Sequence, residues 1–308
     1  MIHQLDFNGI DKVEKAIKRL QLYEPPEGYY LCFSGGKDSV VIKALADMAS
    51  VKYDAHYKVT SVDPPELVRF IKREYPDVAF EYPRYKDGTR ATMWNLIAKK
   101  KIPPTRVMRY CCAILKESNE SGGGGRLKIT GVRWAESARR KNSHGEVTIM
   151  DKKYKEVAEQ EYANISYKVT PQGGIALPLD NRENAQMVET CYRTRQTTVN
   201  PIIDWTDAEV WEFIHEYNVP YCELYDQGYK RLGCIGCPMS SHQVEELERY
   251  PKYKQLYLLA FDNMLNNLDD AKIITTWTSA ENVMLWWFKT LHGVDSKAET
   301  EIMELIDE

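Results

Sequence analysis

Residues 28–45 read GYYLCFSGGKDSVVIKAL. The apolar run 28–34 has the length and composition of a buried strand, and Gly35-Gly36 end it. Val41, Ala44, Leu45 and Met48 then recur at i, i+3, i+4 and i+7, the spacing of one helix face. A strand feeding a helix through two glycines has a chemical use. The glycines let the backbone turn sharply, and the helix N-terminus offers unpaired N–H groups to an anion. Around them, Lys37 adds a positive charge and Ser34 and Ser39 add hydroxyls. Asp38 is out of place in a pure anion site and suits a magnesium ion riding on phosphates. The loop is not a Walker A motif, because Leu31 stands where its first glycine belongs and Asp38 follows the lysine. The competing reading is an ordinary tight turn before a helix; the placement after the first strand favours phosphate binding.

Working outward, 54–60 (DAHYKVT) reads as a second strand and Pro64-Pro65 open a helix with Leu67, Phe70 and Ile71 on one face. Further strands are expected at 78–82 and 127–132. Strands alternating with helices imply parallel βαβ units, hence an α/β fold: a Rossmann-like parallel sheet with flanking helices. Asp63 falls just past the second strand, at the edge where such sheets bind ligands. Composition changes after about residue 142, and 143–180, with EVTIM and ISYKV between glycines and prolines, reads as an insertion or hairpin. Gly122 to Gly125 read as a surface loop. Thr206 and Glu209 form a capping box, opening a helix whose buried face is Val210, Phe213, Ile214 and Tyr217. Beyond 240 the chain reads as helical, with a last helix from near Thr278 burying Met284, Trp287, Phe288 and Leu291. The acidic stretch 295–308 reads as a solvated end. The expected division is a nucleotide-binding domain over 1–238 and a helical C-terminal extension over 239–308.

The 308 residues are 43% hydrophobic and 28% charged, enough for a sizeable core and unlike a disordered chain. A net charge of −4 excludes coating nucleic acid by bulk positive charge and leaves local patches open. One such patch is 84–109, with eight Lys or Arg against Asp87 alone, and with Trp94 and Tyr110 as candidate stacking rings. A positive surface around an anionic substrate would look the same. No apolar run reaches the ~18–20 residues of a membrane span, and the first fifteen residues carry charges where a signal peptide is apolar. A cytoplasmic protein is expected, so its seven cysteines read as metal ligands, catalysts or core residues rather than a disulfide framework. Cys111-Cys112 and Cys234-x-x-Cys237 supply four thiolates in two pairs, a set for tetrahedral zinc or an iron–sulfur cluster. Adjacent cysteines diverge, which favours the larger cluster over a single zinc. Cys32, Cys191 and Cys222 read as structural.

Several segments together resemble a known family. SGGKDS (34–39) is similar to the PP-loop of adenine-nucleotide α-hydrolases, which bind ATP or adenylylated compounds and often cleave ATP between its α and β phosphates. Thr130-Gly131-Val132-Arg133 with Ser137, Arg139 and Arg140, then NPIIDW (200–205) and DQGY (226–229), resemble segments of the phosphoadenylyl-sulfate (PAPS) reductase family, in order from about 28 to 238. The resemblance implies phosphate or sulfate contacts for Arg133, Arg139 and Arg140, chemistry that guanidinium forks suit. It implies a role near the adenosine for Asp63, although SVDPPE lacks the Thr-Gly expected after the aspartate. CC…CxxC is similar to the [4Fe–4S] site of the adenylyl-sulfate-reducing branch.

The family's thiol-dependent reductases use a late cysteine as nucleophile, and no cysteine follows Cys237 in this chain. The expected function is therefore an ATP pyrophosphatase that adenylylates an acceptor for sulfur transfer, with Lys37, Asp38 and magnesium acting on the departing pyrophosphate. A nucleic acid bound along 84–109 is one candidate acceptor, and a sulfur-donor protein is an expected partner. The alternatives are a reductase releasing sulfite with a thioredoxin-like donor, using Cys191 or Cys222, and a non-catalytic nucleotide-binding subunit with a structural metal site.

Overall fold

In a computed structural model the chain is described over residues 11–117, 125–150, 165–171, 174–178, 180–193 and 196–289. It divides into two compact units, one of residues 1–57, 66–81 and 121–232, the other of 58–65, 82–120 and 233–308.

The first unit is an α/β sheet unit. Helix α1 (Lys12–Leu22) starts at Asp11, whose carboxylate accepts the Val13 N–H at 2.8 Å. Strand β1 (Tyr29–Cys32) then enters the centre of the sheet, its Tyr29, Tyr30 and Leu31 at most 2% exposed. Helix α2 (Lys37–Ala49), β2 (Tyr53–Lys58), α3 (Pro65–Glu74) and β3 (Ala79–Glu81) follow, the βαβαβ order expected. The chain re-enters the sheet at β4 (Lys128–Ile129), passes the short helix α6 (Ala138–Ser143), and adds β5 (Val147–Met150), β6 (Lys168–Val169), β7 (Ile175–Leu177), α7 (Arg182–Cys191), β8 (Gln196–Val199) and α8 (Asp207–Glu216). Strand order is β3-β2-β1-β4-β8-β5-β7-β6. β1 runs parallel to β2 and β4, and β4 parallel to β8. Within the described part of 143–180, β6 and β7 are consecutive antiparallel strands, a hairpin that extends the sheet. β5 pairs antiparallel with β8, Val147 opposite Val199, and β7 and β6 continue outward from it. Val147, Thr148 and Ile149 are fully buried, so β5 is an interior strand whose backbone is satisfied on both sides.

Predicted helix faces hold at the residues that meet the core and fail at the ends. On α8, Val210, Phe213 and Ile214 are buried while Tyr217, the residue that ends the helix, is 44% exposed. On α2, Val41 and Leu45 are buried, Ala44 is half-buried and Met48 is 40% exposed. Helices α1 and α8 both pack on α2, so its covered surface is wider than one stripe and takes in Val40, Ile42, Ala46 and Ala49. Arg19 of α1, 1% exposed, holds this side together: its Nε lies within 2.9 Å of both Asp180 oxygens, and Nη1 donates to the Asn200 and Pro201 carbonyls.

The second unit is helical. It contains α4 (Met93–Lys100) and α5 (Tyr110–Leu115) from the middle of the chain, and α9 (Gln243–Arg249), α10 (Pro251–Asp270) and α11 (Ala280–Lys289) from its later part. The expected boundary at 238/239 does not separate these. Leu96 and Ile97 of α4 share one core with Phe261 and Met264 of α10 and Val283, Met284 and Trp287 of α11. An apolar face on α4 needs a cover, and α10 supplies it. Phe288 is partly buried against the same core. Leu291, the acidic stretch 295–308 and Gly122–Gly124 lie outside the described residues. No helix among the described residues is long and apolar enough to cross a membrane.

Candidate functional site

In the sheet unit the glycine loop sits between β1 and α2, as its sequence implies. Gly35 has φ +72°, a left-handed conformation, and a Cβ there would stand 2.6 Å from Leu67 Cδ1 and 2.8 Å from Ile71 Cδ1. Glycine is required on both counts. Gly36 caps α2 without a side chain, leaving the first-turn N–H groups to other partners. Ser39 Oγ donates to the Gly36 carbonyl at 2.8 Å and lies 3.2 Å from Ser34 Oγ, so both hydroxyls brace the turn.

Lys37 and Asp38 are held by residues far along the chain. The Lys37 backbone N–H donates to the Tyr225 hydroxyl at 2.9 Å, and Lys37 Nζ donates to the Lys230 carbonyl at 3.2 Å. The same ammonium stands 3.3 Å from Asp207 Oδ1 at the start of α8. Arg133, 2% exposed, joins the two acids: Nε donates to Asp38 Oδ1 at 2.6 Å, Nη2 to Asp207 Oδ1 at 2.7 Å, and Nη1 to the Trp205 carbonyl at 3.2 Å. Burial opposes the Arg133 charge, but Asp38 and Asp207 outweigh it and raise its pKa. Burial likewise pushes the Asp207 carboxyl up, and Arg133 and Lys37 more than offset this, holding it below the usual range. The Tyr225 hydroxyl is pushed up by burial and stays protonated.

The predicted residues thus part company. Ser34, Gly35, Gly36, Lys37, Asp38, Ser39 and Arg133 come together, with Arg133 fixing Asp38 and Asp207. Arg139 is exposed on α6, and Arg140 on the same helix pairs with Glu136. Asp207, Tyr225 and the Lys230 carbonyl escaped the sequence reading. Asp207 sits in a helix start legible only as a cap, and Tyr225 adjoins the DQGY segment without a chemical signature of its own.

Asp63 lies in the helical unit, 8% exposed. Its Oδ2 accepts the Thr60 N–H at 2.8 Å and its Oδ1 the Thr60 hydroxyl at 2.7 Å. The turn it closes adjoins the cysteines, since Thr60 Oγ1 lies 3.6 Å from Cys234 Sγ. The Cys234–Cys237 turn is firmly built. Ile235 N–H donates to the Val62 carbonyl at 2.8 Å, Gly236 N–H to Glu246 Oε2 at 3.0 Å, Gln243 Nε2 to the Gly236 carbonyl at 2.9 Å, and Tyr257 Oη to the Ile235 carbonyl at 2.9 Å. Gly236 has φ +71°, and a Cβ there would meet the Tyr257 ring at 3.1 Å.

Cys111 and Cys112 lie in the first turn of α5 and share a hydrogen bond that raises the Cys111 thiol and lowers the Cys112 thiol. Burial raises Cys237, and the neighbouring Cys234 adds to it. Arg109 Nη2 reaches Cys112 Sγ at 3.6 Å, and Cys234 is the main influence holding the Lys116 ammonium charged. Among the described residues no group of three or more His, Cys, Asp or Glu side chains is disposed to hold a metal ion. As a donor set, four thiols with two nearby cations to balance thiolate charge suit a polynuclear cluster, whose corners lie apart, better than a single ion.

Cys222 is fully buried, and the Cys191 side chain lies outside the described residues. Cys32 is only partly buried. The candidate stacking rings are committed within the helical unit: Trp94 packs against Tyr253 and Tyr257, and Tyr110 donates to the Ile102 carbonyl at 2.6 Å.

Comparison with known proteins bears on these residues. The model of the phosphoadenosine phosphosulfate reductase domain matches residues 28–240. An adenosine 5'-phosphosulfate reductase of Staphylococcus epidermidis is 24% identical over 248 residues, 77% of this chain and 81% of that protein. One of Oceanobacillus iheyensis is 40% identical over 57 residues, 18% of this chain, so the match spans only 24% of that relative's length. A solved phosphoadenylyl-sulfate reductase from Candida auris, in a phosphate complex, superposes with a TM-score of 0.42 at 17% identity, covering 75% of this chain and 96% of that one.

Proposed function

The chain belongs to the phosphoadenosine phosphosulfate reductase domain family, and from that premise we propose that it binds ATP or an adenylyl nucleotide at the glycine loop and adenylylates an acceptor for sulfur transfer. The observation that carries the reading is the loop itself: a left-handed Gly35, a side-chain-free cap at Gly36, and Lys37 beside the first-turn amides. N–H groups aligned with a helix axis and an adjacent ammonium favour phosphate oxygens. Lys37 would neutralise charge on the departing pyrophosphate, and Ser34 and Ser39, whose hydroxyls brace the turn, would keep the loop shaped for the phosphates. Asp38 commits Oδ1 to Arg133, while its Oδ2 has no partner among the described residues and would hold magnesium. Bound magnesium would supply Lewis-acid stabilisation of phosphate charge. Arg133 and Asp207 act as positioning residues, because they hold Asp38 and Lys37 rather than offering free donors.

Cys111, Cys112, Cys234 and Cys237 would hold a [4Fe–4S] cluster, with zinc as the alternative occupant. Such a cluster would supply sulfur-binding or electron-transfer chemistry. Arg109 and Lys116 would balance the thiolate charge.

The second reading is a reductase acting on an adenylyl sulfate with a thioredoxin-like donor. The S. epidermidis relative, similar over 77% of this chain, favours it. It needs an attacking thiol: of the two candidates, Cys222 is fully buried, with burial raising its pKa, and the Cys191 side chain lies outside the described residues. The deciding experiment offers the anaerobically purified protein ATP with magnesium, or an adenylyl sulfate with thioredoxin. AMP and pyrophosphate support the first reading, and sulfite the second. Nucleotide binding without either product would leave a non-catalytic subunit.

A further inference from the structure

The eight cations between residues 84 and 109 divide by what they meet. Arg106 Nε donates to the Pro238 carbonyl at 3.0 Å, beside the cysteine turn, and Arg109 faces Cys112 on α5, so these two belong with the cysteines. The other six, Arg84, Lys86, Arg90, Lys99, Lys100 and Lys101, form a surface of their own in the helical unit. Residues 82–91 make a hairpin in which Arg84 bridges Arg90 and Tyr85 N–H donates to the Thr89 carbonyl at 2.8 Å. Lys99, in the last turn of α4, lies 4.1 Å over the Tyr85 ring and joins hairpin to helix. Arg90 lies 4.2 Å over the ring of Tyr82, which is itself 42% exposed.

Charge pairing differs between this surface and several cations of the sheet unit. In the sheet unit Lys12, Lys15, Lys18, Lys43, Arg126 and Arg193 each meet a carboxylate. Among the described residues, none of the six cations on the hairpin and α4 lies within 4.0 Å of one; Arg84 instead donates to the Gly88 carbonyl, and Arg90 and Lys99 rest on rings. Asp87, the one acid between 82 and 101, turns its carboxylate back to the Thr89 N–H at 2.8 Å. Two of the cations are held in place by tyrosine faces, which lowers the entropy lost when they take up an anion.

We propose that the hairpin 82–91 and the C-terminal turn of α4 bind single-stranded nucleic acid, with the cations along its phosphates and Tyr82 under a base. A chain of unit negative charges matches six cations set against one acid, Asp87, whose carboxylate is turned to Thr89, and an exposed ring backed by a guanidinium is a platform that any base can stack on. An acidic protein would make no use of that ring. A role for this nucleic acid as the adenylylation acceptor rests on the function proposed above, but the surface stands on other residues, so the two can fail separately.

The test is fluorescence anisotropy of the full chain with a labelled single strand of about 20 nucleotides, in DNA and RNA form, over a salt series. Binding should weaken with a log–log slope of roughly −3 to −4, the value for about five neutralised phosphates on a single strand. The variant Arg84→Ser/Lys86→Ser/Lys99→Ser/Lys100→Ser should bind at least roughly ten-fold more weakly, with about half that slope. Tyr82→Ala should weaken binding roughly five-fold or more with the slope unchanged. Both variants change exposed side chains and should keep the wild-type affinity for ATP, which shows that the fold and loop are intact. Salt-independent or absent wild-type binding, or an unaffected quadruple variant, overturns the proposal. Equal affinity for duplex, with Tyr82→Ala silent, overturns its single-stranded form. Oligonucleotide bound without any affinity for ATP upholds the surface and refutes the loop reading instead.

Discussion

The Lys37 backbone N–H donates to the Tyr225 hydroxyl at 2.9 Å, so a side chain 188 residues away occupies an amide of the glycine loop. The ring is fixed from behind by Trp211, edge-on at 5.1 Å between centroids. A hydroxyl at that amide stands where an anionic oxygen would bind, and a ligand taking the amide has to displace it.

Tyr225→Phe should therefore tighten ATP binding. The ring and its contact with Trp211 remain, while the amide is released from a bond worth about 1 kcal/mol, or roughly five-fold in affinity. Calorimetric titration with ATP and magnesium checks this. Weaker binding would make the hydroxyl a ligand contact rather than a placeholder.

Asp207→Asn should destabilise the protein. Arg133 is buried and would keep Asp38 as its only carboxylate partner, while Lys37 would lose its own. Asp207 is 64% exposed on its side chain, so solvent screening reduces the cost from that of a buried pair to about 1–2 kcal/mol. Urea unfolding at pH 7 should show a lower midpoint with an unchanged slope.

Gly35→Ala should abolish nucleotide binding and cost about 2–4 kcal/mol. The position combines a left-handed backbone with a Cβ inside contact distance of Leu67 and Ile71. Thermal unfolding together with ATP titration separates the two effects; wild-type affinity in a merely less stable variant would discount the loop as the nucleotide site.

Glu146 should make stability fall as pH rises toward neutrality. Its carboxyl is 6% exposed, Oε2 has no hydrogen-bond partner among the described residues, and Arg19 Nη2 stands 3.8 Å from Oε1. Burial pushes its pKa up to about 7 against the attraction of Arg19, with Asp180 raising it further and Lys15 lowering it. The folded state thus holds this proton more tightly than the unfolded state. Its contribution is most favourable below the ordinary glutamate range, is lost between about pH 4.5 and 7, and stays lost above. Glu146→Gln should flatten that window and add about 2 kcal/mol at pH 8. Burial lowers the His144 pKa and opposes this trend below neutrality; comparing wild type with Glu146→Gln cancels it.

Anaerobically purified protein should be brown, with broad absorption near roughly 400 nm, and Cys112→Ser or Cys237→Ser should bleach it. Colourless protein with one equivalent of zinc would replace the cluster by the alternative occupant.

Local chemistry made parts of this molecule legible in advance. The Gly35-Gly36 turn and the Thr206–Glu209 capping box are set by residues within one turn of each other, and each formed as read. Met48 and Tyr217 misled because periodicity marks an apolar face but not where its cover ends. The strand character of 147–150 was visible, but its pairing with β8 was not, since register depends on which edge is available. The partners of Lys37 and Arg133 were invisible for a similar reason: Asp207 and Tyr225 gain their meaning from the sheet that gathers them. Asp63 shows the limit most plainly. Its position after β2 was legible, whereas the two hydrogen bonds its carboxylate accepts from Thr60 were not.

The helical unit is assembled from three separated segments, and this has a bearing on biosynthesis. Cys111 and Cys112 leave the ribosome well before Cys234, Cys237 and the Tyr257 hydroxyl that holds the later turn. During translation the first pair is therefore present without its counterparts, and without the helices that share its core. A group bound by all four thiols could be loaded only once Cys237 has been made, and the later turn gains its Tyr257 hydrogen bond only after part of α10 has followed. A ribosome stalled before that point would carry two neighbouring thiols open to oxidation.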